Sequence, residues 1–117
     1  MIRATLALAL GLCATPAMAQ DAAKAAYTTD CSACHQENGQ GVSGSFPALA
    51  GDAFVKGDPA AVIGVVLNGR AAMPPFKADL DDAEIAAAVS YIRSAWGNAA
   101  APVTPAAVAK VRAAAPR

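Results

Sequence analysis

Cys31-Ser32-Ala33-Cys34-His35 sets two thiols one helical turn apart, with an imidazole directly after the second. The pattern suits covalent attachment of haem c. Each thiol adds across a vinyl group as a thioether, and the adjacent His35 reaches the iron from one face. A dithiol exchange pair needs no His at that position, and a structural zinc site needs four ligands. The chain has three cysteines and one histidine in all, the third cysteine being Cys13. A complete Cys/His zinc site is therefore out of reach.

If His35 holds one side of an iron, the group on the other side decides the chemistry. No second His exists, and of the three methionines only Met73 lies outside the first nineteen residues. A methionine is usually a core filler. Met73, however, sits in the loop Gly69-Arg70-Ala71-Ala72-Met73-Pro74-Pro75-Phe76 rather than on an apolar stripe. Pro74-Pro75 holds such a loop stiff and extended. That rigidity suits a thioether that must stay on iron through oxidation and reduction, so Met73 is the candidate for the second axial position.

The elements that must carry these groups read as helices. Residues 21–33 form a first helix, with Asp21 as N-cap, an Ala-rich run, and Tyr27 one turn before Cys31. Gly39, Gly41 and Gly44 then break the pattern, and Phe46-Pro47-Ala48-Leu49-Ala50-Gly51 continues it as an apolar loop, which is unusual unless it lines a ligand. A second helix at 58–67 has Asp58 as cap, Pro59 at its first position and Asn68-Gly69 at its end, with Val62, Ile63, Val66 and Leu67 on one side. The third, about 81–96, opens on an Asp81/Glu84 capping box and buries Ile85, Ala88, Val89, Ile92 and Trp96. Gly97-Asn98 ends it. Ala23 and Ala88 allow the first and third helices to cross closely. In the Ala/Pro-rich tail, Thr104-Pro105 predicts a short, weakly packed helix at about 105–114, with Lys110, Arg112 and Arg117 in solvent.

Residues 1–19 read as an export signal. Arg3 is followed by the apolar stretch Ala4 to Leu12, too short to span a bilayer, and Ala17-Met18-Ala19 predicts a cut before Gln20. Cys13 would leave with it. The mature chain is then expected in the periplasm, with no transmembrane segment. It would carry eight basic against nine acidic side chains, a balance that does not suggest nucleic acid. The hydrophobic share of 56% is inflated by alanine, and large apolar residues are sparse. A domain of this size often relies on a cofactor or cross-link for stability, and haem would supply the missing core.

Taken in order, a helix, Cys31-x-x-Cys34-His35, Phe46-Pro47-x-Leu49-x-Gly51, Asn68-Gly69-x-x-x-Met73-Pro74 and a helix bearing Tyr91-Ile92-Arg93 resemble class I cytochrome c over about residues 21–98. The resemblance implies a small all-α fold, with crossed N- and C-terminal helices and a middle helix around one covalent haem c. It also implies that the carbonyl of Pro47 accepts a hydrogen bond from His35, which would orient the ring and raise its basicity. Residues 94–98 and 102–112 look like the C-terminal haem domain of bacterial dehydrogenase cytochrome subunits, although those usually carry several haems and this chain has one pentad. The expected organisation is a signal at 1–19, a cytochrome c domain at 20–98 and an extension at 99–117.

With His35 and Met73 both on iron, the function would be one-electron transfer and not catalysis. The partners would be redox proteins: a periplasmic dehydrogenase, a terminal oxidase or another cytochrome. Arg70, Lys77 and Lys56 are either docking charges for an acidic partner or solvated surface, and Arg70 is also a candidate contact to a haem propionate. Asp79, Asp81, Asp82 and Glu84 are explained by capping. Two other readings compete. A haem enzyme or gas sensor would leave the Met73 side of the iron open, and a thiol–disulfide module would use Cys31 and Cys34 directly.

Overall fold

A computed structural model describes residues 16–114. Arg3, the stretch Ala4 to Leu12, Cys13 and Arg117 lie outside the described residues. Within them the chain forms six helices and no strand: α1 (Pro16–Asp30), α2 (Ser32–His35), α3 (Ala53–Lys56), α4 (Pro59–Asn68), α5 (Asp82–Ser94) and α6 (Pro105–Ala114). No described helix is long and apolar enough to cross a membrane.

The first helix differs from its sequence reading at both ends. It is already helical upstream of Asp21, from Pro16, the first described residue, and Ala17-Met18-Ala19 are good helix formers. Asp21 is therefore inside α1 and is not its cap. The helix also stops at Asp30. Cys31 leaves helical geometry at φ −123° and becomes the N-cap of the single turn α2, which carries the rest of the pentad.

The later helices follow their local signals. Asp58 accepts from the Ala60 amide at 3.0 Å, and Pro59 opens α4. Asp81 and Glu84 close a reciprocal capping box on α5, each bond 2.8 Å long. The α5 stripe Ile85, Ala88, Val89 and Ile92 is buried as its spacing predicts. That helix ends two residues early, since Trp96 turns back at φ +53° to donate its indole N–H to the Glu37 carbonyl at 2.9 Å.

Helix α1 packs across α5, and α6 packs on α5 and α4. At the first crossing Tyr27 meets Tyr91 and Trp96, both with ring centroids 5.1 Å away, and Tyr91 meets Trp96 at 5.5 Å. Tilted and edge-on aromatic pairs of this kind are worth about 1 kcal/mol each beyond the area they bury. Ala88 is buried at the same helix and Ala23 half-buried, as the close crossing requires.

The C-terminal extension is firmer than its composition implied. Val108 is fully buried in the hydrophobic core, and Val103, Ala107 and Val111 pack against that core. Lys110 is exposed as expected, but Arg112 is not simply solvated: it reaches Asp82, Lys77 and Leu80. Two buried polar side chains tie the irregular segments to α5. Arg93 donates to the carbonyls of Val55, Gly57 and Ala101. Asn98 donates to those of Leu49 and Ile92 and accepts from the Gly51 amide at 2.8 Å. Among the described residues no buried side-chain polar atom lacks a partner.

Candidate functional site

The pentad straddles the junction of α1 and α2. Tyr27 positions it from below, its hydroxyl donating to the Gln36 carbonyl at 2.6 Å while its ring packs in the core beside half-buried Cys31. Cys31 and Cys34 are not bridged to each other. Burial, with help from the nearby Asp30 and Cys34, pushes the Cys31 thiol up to about 11. Exchange catalysts need the opposite, a thiol depressed so that the thiolate attacks. Cys31 is thus a poor nucleophile for disulfide chemistry at neutral pH.

His35 is buried, and its Nδ1 lies 2.9 Å from the Pro47 carbonyl oxygen. A carbonyl only accepts, so Nδ1 carries a proton, and in the neutral ring Nε2 is the nitrogen left with a lone pair. The ring is thereby set in the tautomer that can bind a metal through Nε2. Pro47 is held in place by a braced loop. The Gly41 amide donates to the His35 carbonyl at 3.0 Å, Val42 and Phe46 pair with each other, and Leu49 and Ala50 both donate to the Gly39 carbonyl. Gly41 has φ +61°, and a Cβ there would stand 2.2 Å from the Phe46 oxygen and 2.6 Å from the Pro47 oxygen. Only glycine lets this strand of loop lie against the carbonyl that His35 uses.

Met73 lies on a separate turn. The Arg70 amide donates to the Met73 carbonyl at 3.2 Å and the Met73 amide to the Arg70 carbonyl at 3.0 Å. After Pro74-Pro75, the amides of Phe76 and Lys77 donate to the Val66 and Leu67 carbonyls, which are otherwise orphaned at the end of α4. A Cβ on Gly69 would meet the Met73 oxygen at 2.5 Å, so the helix end and the turn are in direct backbone contact. The Met73 side chain is half-buried. No hydrogen bond joins this turn to the pentad among the described residues. Cys31, Cys34, His35 and Pro47 are brought together, and Met73 is presented independently by α4.

Large apolar side chains stay exposed around these segments, Val42, Phe46 and Phe54 at 37–42%. The Arg70 guanidinium, itself exposed, lies over the Phe54 ring, 4.9 Å from its centroid. Phe54 belongs to α3, an element too short for its four residues to show a period. The one local signal is Asp52, which caps it by accepting from the Val55 amide. Asp82 also exceeds its sequence reading, since it pairs with Arg112 in addition to favouring the α5 N-terminus.

A family model described as "Cytochrome C oxidase, cbb3-type, subunit III" matches residues 18–92. The chain belongs to this cytochrome c family. Its relatives include the alcohol dehydrogenase (quinone) cytochrome c subunit of Gluconacetobacter polyoxogenes, 35% identical over 74% of this chain and 21% of that protein. The Cbb3-type cytochrome c oxidase subunit CcoP of Azospirillum brasilense is 35% identical over 78% of this chain and 33% of that subunit. Cytochrome c6 of Diacronema lutheri is 36% identical over 61% of this chain and 89% of its own length. The chain spans about a fifth of the dehydrogenase subunits it matches.

As a cytochrome c, this domain carries covalently bound haem c and serves haem-based electron transfer. The side chains present fit that group. Two unbridged thiols stand next to an imidazole whose Nε2 lone pair is free, a thioether sits on a rigid turn, and apolar rings face outward nearby. The matched region ends at Ile92, before Trp96, Asn98 and the whole of α6.

Proposed function

We propose that this cytochrome c is a periplasmic one-electron carrier with a single haem, joined through Cys31 and Cys34 and held axially by His35 and Met73. The observation that carries this reading is the 2.9 Å bond from His35 Nδ1 to the Pro47 carbonyl, which leaves Nε2 as a donor of fixed orientation. When bound, haem c supplies an iron that takes up and gives back one electron. The protein's own residues do the rest. Pro47 holds the His35 proton and makes the ring a stronger donor. The Arg70–Met73 turn and Pro74-Pro75 keep the Met73 thioether from swinging away on a change of charge. A thioether favours the reduced state and raises the potential. The exposed apolar side chains of Val42, Phe46 and Phe54 would be available to cover the bound group.

With both axial positions filled, the domain would bind neither substrate nor gas and would not be an enzyme. Names of relatives, a quinone-dependent alcohol dehydrogenase subunit and an oxidase subunit, support a dehydrogenase or oxidase complex, or another cytochrome, as redox partner. Cleavage after Ala19, in an exposed stretch of α1, would accompany export. The shortened helix would then begin beside Asp21, whose charge favours a helix N-terminus.

The test is the absorption spectrum of the exported protein and of Met73→Ala. The oxidised wild type is expected to show the weak long-wavelength sulfur-to-iron band. Met73→Ala should keep covalent haem, lose that band, fall in potential and admit external ligands. A wild type without the band would refute Met73 as ligand and favour an open haem site.

A further inference from the structure

We propose that Arg112, in the C-terminal extension, is a positioning residue that clamps the Met73 loop and so keeps the thioether on iron. The inference rests on Met73 being the axial ligand, as proposed above. One guanidinium grips the turn that follows the methionine. Its two terminal nitrogens donate to the carbonyls of Lys77 and Leu80, the latter at 2.9 Å, and its Nε donates to Asp82 in the first turn of α5 at 2.8 Å.

The turn is closed on itself, since the amides of Asp79 and Leu80 both donate to the Phe76 carbonyl. It is pinned to α4 through the amides of Phe76 and Lys77. Between this anchor and Met73 stand only Pro74 and Pro75, which have no N–H to bond and little freedom to bend. A displacement at Phe76–Lys77 is therefore passed to Met73 rather than absorbed. The grip is itself held in place, because α6 is fastened by fully buried Val108 one turn before Arg112. The Arg112 contacts reach in from beyond residue 92, where the family match stops.

The guanidinium makes charge-assisted bonds to two carbonyls and a carboxylate at a half-exposed site. Their loss should raise the population of the opened loop about tenfold. An external ligand that binds only the open form gains apparent affinity in the same ratio. The experiment titrates oxidised holoprotein with imidazole, following loss of the long-wavelength band. In Arg112→Gln the half-loss concentration is expected to fall about tenfold. Lys110→Gln, exposed on the same helix, should stay at the wild-type value. Val62→Ala, a core truncation at the other end of α4, should lower the melting temperature yet leave the imidazole value within about twofold, because global stability is not what the ligand reads.

An Arg112→Gln protein with a wild-type half-loss concentration overturns the clamp while leaving the Met73 assignment standing. A wild type that shows no band at all overturns both. If Arg112→Gln does not accumulate, Asp82→Ala provides the second arm: it removes the acceptor of the Nε bond and leaves the Asp81–Glu84 cap intact. A shift of about threefold there supports the clamp, and no shift overturns it.

Discussion

Replacing Gly41 by alanine tests the geometry around His35 most directly. The added methyl would lie 2.2 Å from the Phe46 oxygen and 2.6 Å from the Pro47 oxygen, where no Cβ can stand. Both obstacles are backbone, so neither can rotate away, and the loop must shift. Alanine at φ +61° costs about 1–2 kcal/mol on its own. Moving the Pro47 carbonyl away from Nδ1 removes a hydrogen bond worth about 1 kcal/mol. The sum, roughly 2–4 kcal/mol with partial relief of the overlap, corresponds to a melting temperature lower by about 10–25 °C. Gly44→Ala is the matched reference. It has φ +78° and nothing within 4 Å of the added methyl, so only the conformational cost applies. Thermal unfolding and potentiometry of the two holoproteins then separate strain from the loss of the His35 bond. Gly41→Ala should be the less stable variant. Its potential should also rise by tens of millivolts, because a less basic imidazole favours the oxidised iron less. If the two variants match in both stability and potential, the loop does not position His35 through Pro47.

Two other substitutions probe the long-range ties. Arg93→Met would leave the carbonyls of Val55, Gly57 and Ala101 without their donor, and a loss of roughly 2–4 kcal/mol is expected in chemical denaturation. An unchanged denaturation midpoint would show that water replaces the guanidinium at no cost. Trp96→Phe keeps an aromatic ring against Tyr27 and Tyr91 but removes the bond to the Glu37 carbonyl. It should cost about 1 kcal/mol and speed amide exchange in residues 36–41, read by hydrogen exchange.

The helical skeleton was legible because its signals are local. Asp58-Pro59 and the Asp81/Glu84 box act within one turn of chain, and α4 and α5 start where those caps stand. The Thr104-Pro105 pair located α6 for the same reason. The extent of α1 was misread because Asp21 looks like a cap when the helix-forming residues before it are set aside. Trp96 was misplaced inside α5 because spacing alone does not register the Glu37 carbonyl, fifty-nine residues earlier, that draws it out. The short α3 left too few residues for any period to appear.

The sequence by itself determined the chemistry available: a pair of thiols and an imidazole at fixed spacing, one methionine in a proline-stiffened loop, and three helices able to carry them. Those are short-range properties, set by covalent order and by hydrogen bonds within a turn. Only the tertiary structure decided how the groups are held. The His35 proton is fixed by a carbonyl twelve residues away, the Met73 turn by the end of α4, and the segment after it by a guanidinium thirty to thirty-five residues further on. In the sequence Arg93 reads as part of a helix motif, Asn98 as a helix end and Arg112 as solvated surface. Their partners are mostly backbone carbonyls, which every residue possesses, so the sequence carries no mark of which ones they will find.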